Sequence, residues 1–282
     1  MQNTQKDFQS KSTPNIITLE YNLKERKEFK TDNEYLRSLH IFSYYFRYLG
    51  QEDCIMLIDD NEVKFYKKFE TVEDEQTKIL KPIIGFGKHI VTIKMRSGIL
   101  LNNACKMFDH CSSLIKADFS KFNSSRLTDT SYMFYKCRSL KSINLNGFNT
   151  SNVNNMKSMF GFCINLTELN VDSFNTSYVQ DMSGMFALCT KLKQLDIKNF
   201  RTNNVIFIRN IFCECISLTL LNISNFNTRN IKDMFGIFLH CRNLINLFLP
   251  VNIELVKNLT NECTNLNDCV LLEKSAKEKL QL

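Results

Sequence analysis

A chain of 282 residues, 44% of them hydrophobic, has ample material for a buried core, and its 8 Gly and 3 Pro argue for regular structure joined by polar turns. Residues 1–84 hold 13 Lys/Arg and 15 Asp/Glu of the totals of 36 and 29, so the basic excess behind the net charge of +7 lies in the remaining 23 and 14. No stretch offers ~18 consecutive apolar residues, which excludes a membrane-spanning helix.

Residues 1–14, MQNTQKDFQSKSTP, read as a disordered polar tail. They have neither the apolar run of a secretory signal nor the Arg-rich pattern of a transit peptide, so the expected location is intracellular and cytoplasmic. Eleven Cys without an export signal are then expected to be free thiols. Residues 15–84 do not repeat. Within them NIITLEYNL has strand alternation, TDNEYLRSLHIFSYYFRYLG reads as a capped helix, and CIMLIDDNEVKFY reads as two strands around a polar turn. This region is either an N-terminal cap or a small α+β domain.

From residue 85 the chain repeats itself. FNTSNVNNMKSMFGFC (148–163) returns 26 residues later as FNTSYVQDMSGMFALC (174–189). Cys falls at 111, 137, 163, 189, 215 and 241, Phe at 108, 134, 160, 186, 212 and 238, and a second Phe series at 122, 148, 174, 200 and 226. A period of this length marks a solenoid, in which each unit buries its apolar face only against its neighbours. Val179, Met182, Met185, Phe186 and Cys189 are spaced by three or four, which predicts a short helix capped by Thr176 or Ser177. Leu195 and Ile197 alternate with Gln194, Asp196 and Lys198, which predicts a short strand. The expected fold class is therefore α/β: a right-handed solenoid of about eight units over 85–271, with parallel strands near 91, 117, 143, 169, 195, 221, 247 and 270 on the concave side and short helices on the convex side. In the first unit Gly85 and Arg96 replace the Cys and Phe of the pattern, and residues 272–282 are expected to be a C-terminal capping helix.

The chemistry-bearing residues mostly yield to bland readings. The Cys column reads as small buried thiols rather than bridges, because neighbouring helices would hold the Cα atoms beyond the ~7 Å limit for a disulfide. His110-Cys111 and His240-Cys241 lie five units apart and cannot share an ion, and Cys213-Glu214-Cys215 has no second pair at zinc-like spacing. Gly85-Phe86-Gly87 precedes a strand rather than a helix, which rules out a dinucleotide loop. No nucleophile–base arrangement is visible in the spacing, so no enzyme activity, metal or cofactor is expected. Binding information should sit on strand residues that the core does not need: Asn144, Asn146, Glu168, Asn170, Asp172, Gln194, Asp196, Lys198, Asn222 and Phe248. This face is mildly acidic, which suits a basic or polar protein segment and not a nucleic acid. The column Asp118, Asn144, Asn170, Asp196, Asn222 reads either as an amide ladder along the stack or as a polar comb offered to a partner.

The L-x-x-L-x-L core resembles leucine-rich repeats. The full unit F-N-T-S-x-V-x-x-M-x-x-M-F-x-x-C-x-x-L-x-x-L-x-L is similar to the 26-residue repeat of the BspA-like bacterial surface protein family, over roughly residues 85–271. With the exposed area of a solenoid, the expected role is that of an intracellular interaction or scaffold protein, alone or as a subunit of a larger complex; the resemblance also implies the alternative of a cell-surface adhesin.

Overall fold

The structure is a computed structural model, and it describes residues 15–28, 30–31, 39–43, 45–50, 52–64, 71–73, 80–82, 84–250 and 270–271. The expected tail, residues 32–38 and 44 of the expected helix over 31–50, and the expected C-terminal helix lie outside these residues; the described part of 31–50 forms turns and bends and no helix. The described residues form twelve strands: β1 (Ile16–Leu23), β2 (Cys54–Ile58), β3 (Asn61–Val63), β4 (Thr71–Glu73), β5 (Leu80–Pro82), β6 (Gly87–Met95), β7 (Leu114–Lys121), β8 (Ser142–Asn144), β9 (Glu168–Leu169), β10 (Leu220–Asn222), β11 (Asn246–Phe248) and β12 (Val270–Leu271). They make a seven-stranded sheet in the order β3-β2-β6-β1-β7-β8-β9, a three-stranded sheet β10-β11-β12 and the hairpin β4-β5.

NIITLEYNL is β1, and its alternation buries Ile17, Leu19, Tyr21 and Leu23. CIMLIDDNEVKFY gives β2 and β3 around Asp59-Asp60, both at positive φ. The strand expected near 91 is β6, but it is not the first parallel rung. β1 lies between β6 and β7 and is antiparallel to both. Parallel pairing begins only at β7-β8, where Ala117 faces Ile143, and continues to β9, where Ile143 faces Leu169. Near 195 the expected strand reduces to a single bridge, Gln194 to Leu220.

The expected helices are absent: among the described residues the only helical element is the 3₁₀ turn Arg26–Glu28. The segment between Met182 and Cys189 is a run of tight turns that pairs with the next repeat. The N–H groups of Met182, Gly184, Phe186 and Leu188 donate to the carbonyls of Phe207, Arg209, Ile211 and Cys213 at 2.8–3.0 Å. The residues between them close local turns, with Met185, Ala187 and Cys189 donating three residues back to Met182, Gly184 and Phe186. Every second amide is thus satisfied 25 residues away, which no helix permits. Two positions per repeat take positive φ to do this: 106, 132, 158, 184, 210 and 236, and 110, 136, 162, 188, 214 and 240. Only Gly184 and Gly236 are glycines, so the other ten accept a left-handed backbone at a cost of order 1–2 kcal/mol each. A chain of parallel bridges joins this face, Asn103 to Asp129, Asn155, Asp181, Phe207 and Asp233.

Inside the stack, each recurring residue type has one job. Phe108, Phe134, Phe160, Phe186, Phe212 and Phe238 stack face to face with centroids 5.4–5.9 Å apart and are at most 1% exposed. Each contributes about 2–3 kcal/mol by burial. The Cys column is made of free thiols, and from Cys137 on each donates to a carbonyl 29 residues earlier: Cys137 to Phe108, Cys163 to Phe134, Cys189 to Phe160, Cys215 to Phe186, Cys241 to Phe212, at 3.0–3.2 Å. Burial pushes the thiols of Cys137, Cys163, Cys189 and Cys215 well above their ordinary pKa. Thr176 is no helix cap. Its buried hydroxyl donates to the Arg201 carbonyl at 3.0 Å and accepts the Arg201 N–H at 2.7 Å, and Thr150 and Thr202 repeat the clamp on Asn175 and Asn227.

The residues before the first repeat extend these files. The Phe42 ring stacks on Phe108 at 5.4 Å, Cys111 reaches the Ile41 carbonyl at 3.5 Å, and the buried Tyr21 hydroxyl donates to the same carbonyl at 2.6 Å. In place of a helix, residues 41–43 supply a surrogate rung that covers the end of the aromatic stack.

Candidate functional site

The two larger sheets part between β9 and Gln194. On the turn face the repeats at Cys163 and Cys189 remain joined, through Met156 to Asp181 at 2.9 Å and Phe160 to Met185 at 2.9 Å. On the strand face they separate, and a depression of about 480 Å³ opens between residues 167–172 and 193–196. Its walls carry Glu168, Asn170 and Asp172 on one side and Lys193, Gln194 and Asp196 on the other, all exposed. Leu169, Val171 and Leu195 point inward and stay buried, so alternation along each segment turns the polar residues outward.

Of the residues expected to bind, Glu168, Asn170, Asp172, Gln194 and Asp196 meet at this depression. Lys198 joins them through its Nζ, 2.6 Å from Asp196 Oδ2. This bond, with the Lys198 N–H on Asp196 Oδ1 at 3.0 Å, holds the Asp196 carboxyl below its ordinary pKa and raises Lys198. Asp196 is therefore already compensated; Glu168 and Asp172 make no ion pair among the described residues, although Asp172 lies within charge range of Lys198. Asn144 and Asn146 sit one rung earlier; Asn222 and Phe248 face each other in register on the other sheet, beyond the gap. Lys193 escapes a reading by strict alternation because the chain there is not paired as a strand.

The polar column is neither a continuous amide ladder nor a free comb. Each member accepts the N–H two residues on: Ser120 to Asp118 (2.8 Å), Asn146 to Asn144 (3.2 Å), Asp172 to Asn170 (2.8 Å), Lys198 to Asp196 (3.0 Å) and Ser224 to Asn222 (3.0 Å). These Asx turns end each strand segment. One bond runs along the stack, from Asn144 Nδ2 to Asp118 Oδ1 at 3.1 Å. Partial burial pushes the Asp118 carboxyl up, but the donors from Ser120 and Asn144 outweigh it and hold the group below its ordinary value.

No group of three or more His, Cys, Asp or Glu among the described residues is placed to hold a metal ion. No helix among them is long and apolar enough to cross a membrane.

Comparison with known proteins adds two findings. Residues 102–213 and 161–270, together more than half of the chain, match the family model described as "Mycoplasma protein of unknown function, DUF285". Among solved structures the chain is similar to a leucine-rich repeat protein from Bacteroides ovatus ATCC 8483, at 14% identity and a TM-score of 0.39, over 67% of this chain and 47% of that one. The chain thus spans about half the length of that protein. None of the curated proteins matches.

Proposed function

The chain belongs to the family described as mycoplasma proteins of unknown function, DUF285, so its role has to be read from its own geometry, and we propose that it is a non-catalytic interaction or scaffold protein that holds a basic or polar protein segment on its strand face. We read the stack as a leucine-rich-repeat-like solenoid of the BspA-like type, spanning 85–271 and closed at its start by residues 15–84. The observation that carries the reading is the depression at the parting of the sheets, where Glu168 and Asp172 stand exposed and outside any ion pair among the described residues while the core beneath is complete. An extended segment laid along the gap meets Glu168 and Asp172 on one wall and Lys193, Gln194 and Asp196 on the other, an acid excess of one once Lys198 beside Asp196 is counted with Lys193. Open and rimmed by polar side chains, the site favours a chain over an enclosed small molecule. The Cys column, whose thiols each donate to a carbonyl, supports an intracellular setting in which they stay reduced.

The test removes charge without disturbing the turns. In the combined variant Glu168→Gln, Asp172→Asn, Asp196→Asn, every Asx acceptor is retained. A lysine-rich extended peptide is expected to bind the wild type with an affinity that falls as salt rises, and the variant at least tenfold more weakly, with at most a small loss of stability from the exposed Asp196–Lys198 pair. Equal binding by both proteins would place the partner elsewhere.

A further inference from the structure

On the turn face, aromatic rings and cations from successive rungs alternate. Tyr132 meets Tyr135 edge to face at 5.3 Å, Tyr135 meets Phe162 at 5.3 Å, and Lys136 Nζ lies 5.0 Å from the Tyr135 centroid and 5.5 Å from that of Phe162. The positions that Tyr132 and Tyr135 hold are taken by Ser158 and Gly161 one rung later and by Gly184 and Ala187 two rungs later, so the file stops there. It resumes beyond with Phe207, 42% exposed, and with the Arg209 guanidinium 4.6 Å from the centroid of Phe235, itself 50% exposed. Between the two walls lies a cleft of about 520 Å³ floored by Ser158, Gly161, Gly184 and Ala187.

The repeat register shows that the fold does not demand this cleft. The position of Ala187 is filled by Tyr135 and Leu239 in other rungs, so small size there is not a packing requirement. Phe207 stands in a column otherwise made of Asn103, Asp129, Asn155, Asp181 and Asp233, each of which accepts the N–H two residues on. At Phe207 the chain gives up one such turn and exposes a ring. Departures from a local rule without structural gain are where function is expected. The cleft itself carries Lys157 and Arg209 against Asp181 and Asp233, with Arg209 3.6 Å from Asp233; Lys136, against the adjoining aromatic wall, adds a further cation, and neither Lys136 nor Lys157 makes an ion pair among the described residues.

We propose that this cleft binds an acidic peptide segment through one aromatic side chain. The ring takes the empty place between Phe162 and Phe207, over Gly184 and Ala187, and a carboxylate beside it meets Lys136 and Lys157. The surface is separate from the depression on the strand face and opposite in charge preference, so one stack can hold two unlike segments.

Two substitutions probe the cleft with residues that the same columns already carry: Ala187→Leu, as at Leu239, fills the floor, and Phe207→Asp, as at Asp233, removes a wall and restores an Asx acceptor. A third, Lys157→Glu, reverses the rim charge. The probe is a glutamate-rich pentapeptide with a central phenylalanine, titrated calorimetrically near physiological salt against its leucine and lysine-rich counterparts. The phenylalanine peptide is expected to bind the wild type at least tenfold tighter than either counterpart, and to lose at least tenfold on each variant while their unfolding midpoints stay near wild type. Binding untouched by Ala187→Leu, or binding equally of all three peptides, would overturn the proposal. So would a cleft that takes neutral oligosaccharides but not the phenylalanine peptide.

Discussion

The two faces of the stack are held together by different bonds and fail differently. On the turn face the bridges run without interruption from Asn103 to Asp233, and every second amide between Met182 and Leu188 is satisfied by the following rung. On the strand face pairing runs from β7 to β9, lapses, and resumes at β10. The turn face therefore fixes the rung spacing, and the strand face is free to open. That freedom is what places exposed acids beside a gap without loss of the core.

The largest effect expected from breaking this arrangement is at the shared aromatic file. Phe160→Ala, deep between Phe134 and Phe186, should destabilise by about 3–5 kcal/mol in denaturant unfolding. Thr176→Val keeps the shape but leaves the N–H and carbonyl of Arg201 without their hydroxyl partner; about 1–3 kcal/mol should be lost, whereas Thr176→Ser, which keeps the hydroxyl, should lose less. Gly184→Ala forces a Cβ to 3.0 Å from Ser158 Oγ at a φ of 63°, for an expected loss of about 1–2 kcal/mol. Against these, Gln194→Ala at the parting of the sheets should change stability by no more than about 0.5 kcal/mol. Should the two faces prove equally sensitive, the contrast between them disappears.

The smallest effects are chemical. Asp118 and Asp196 have folded-state pKa values below the ordinary carboxylate value, so their contribution is present above the unfolded value near ~3.9 and is lost as pH falls through the folded one. Unfolding midpoints should thus be flat from neutrality down to about pH 4 and drop below it, and less steeply in an Asp118→Asn, Asp196→Asn variant. Native Cys137, Cys163, Cys189 and Cys215 should resist alkylation until the chain unfolds, because burial keeps them as thiols.

Much of this was legible in the sequence. The Phe and Cys series gave the register in which rungs lie on one another, and strand alternation located β1, β2, β3 and every parallel strand except that near 195. Five of the ten expected binding residues line one depression, with Lys198 beside it. The turn face was not legible, for a physical reason. Apolar residues spaced by three and four fit both a helix and a run of stacked turns, and the amide partners that decide between them lie 25 residues away. The usual signal for left-handed turns is missing too, since Lys, Tyr, Leu and Glu occupy such positions alongside Gly184 and Gly236. The place of β1 between β6 and β7 is set by antiparallel pairing across 64 and more residues, which no local pattern reveals.

Amide hydrogen exchange resolved to single residues tests the contrast between the faces most directly. The N–H groups of Met182, Gly184, Phe186 and Leu188 should exchange only with global unfolding, and those of Gln194 and Asp196 orders of magnitude faster. Fast exchange across 182–188, or protection continuous from Leu169 through Asp196, would contradict the account.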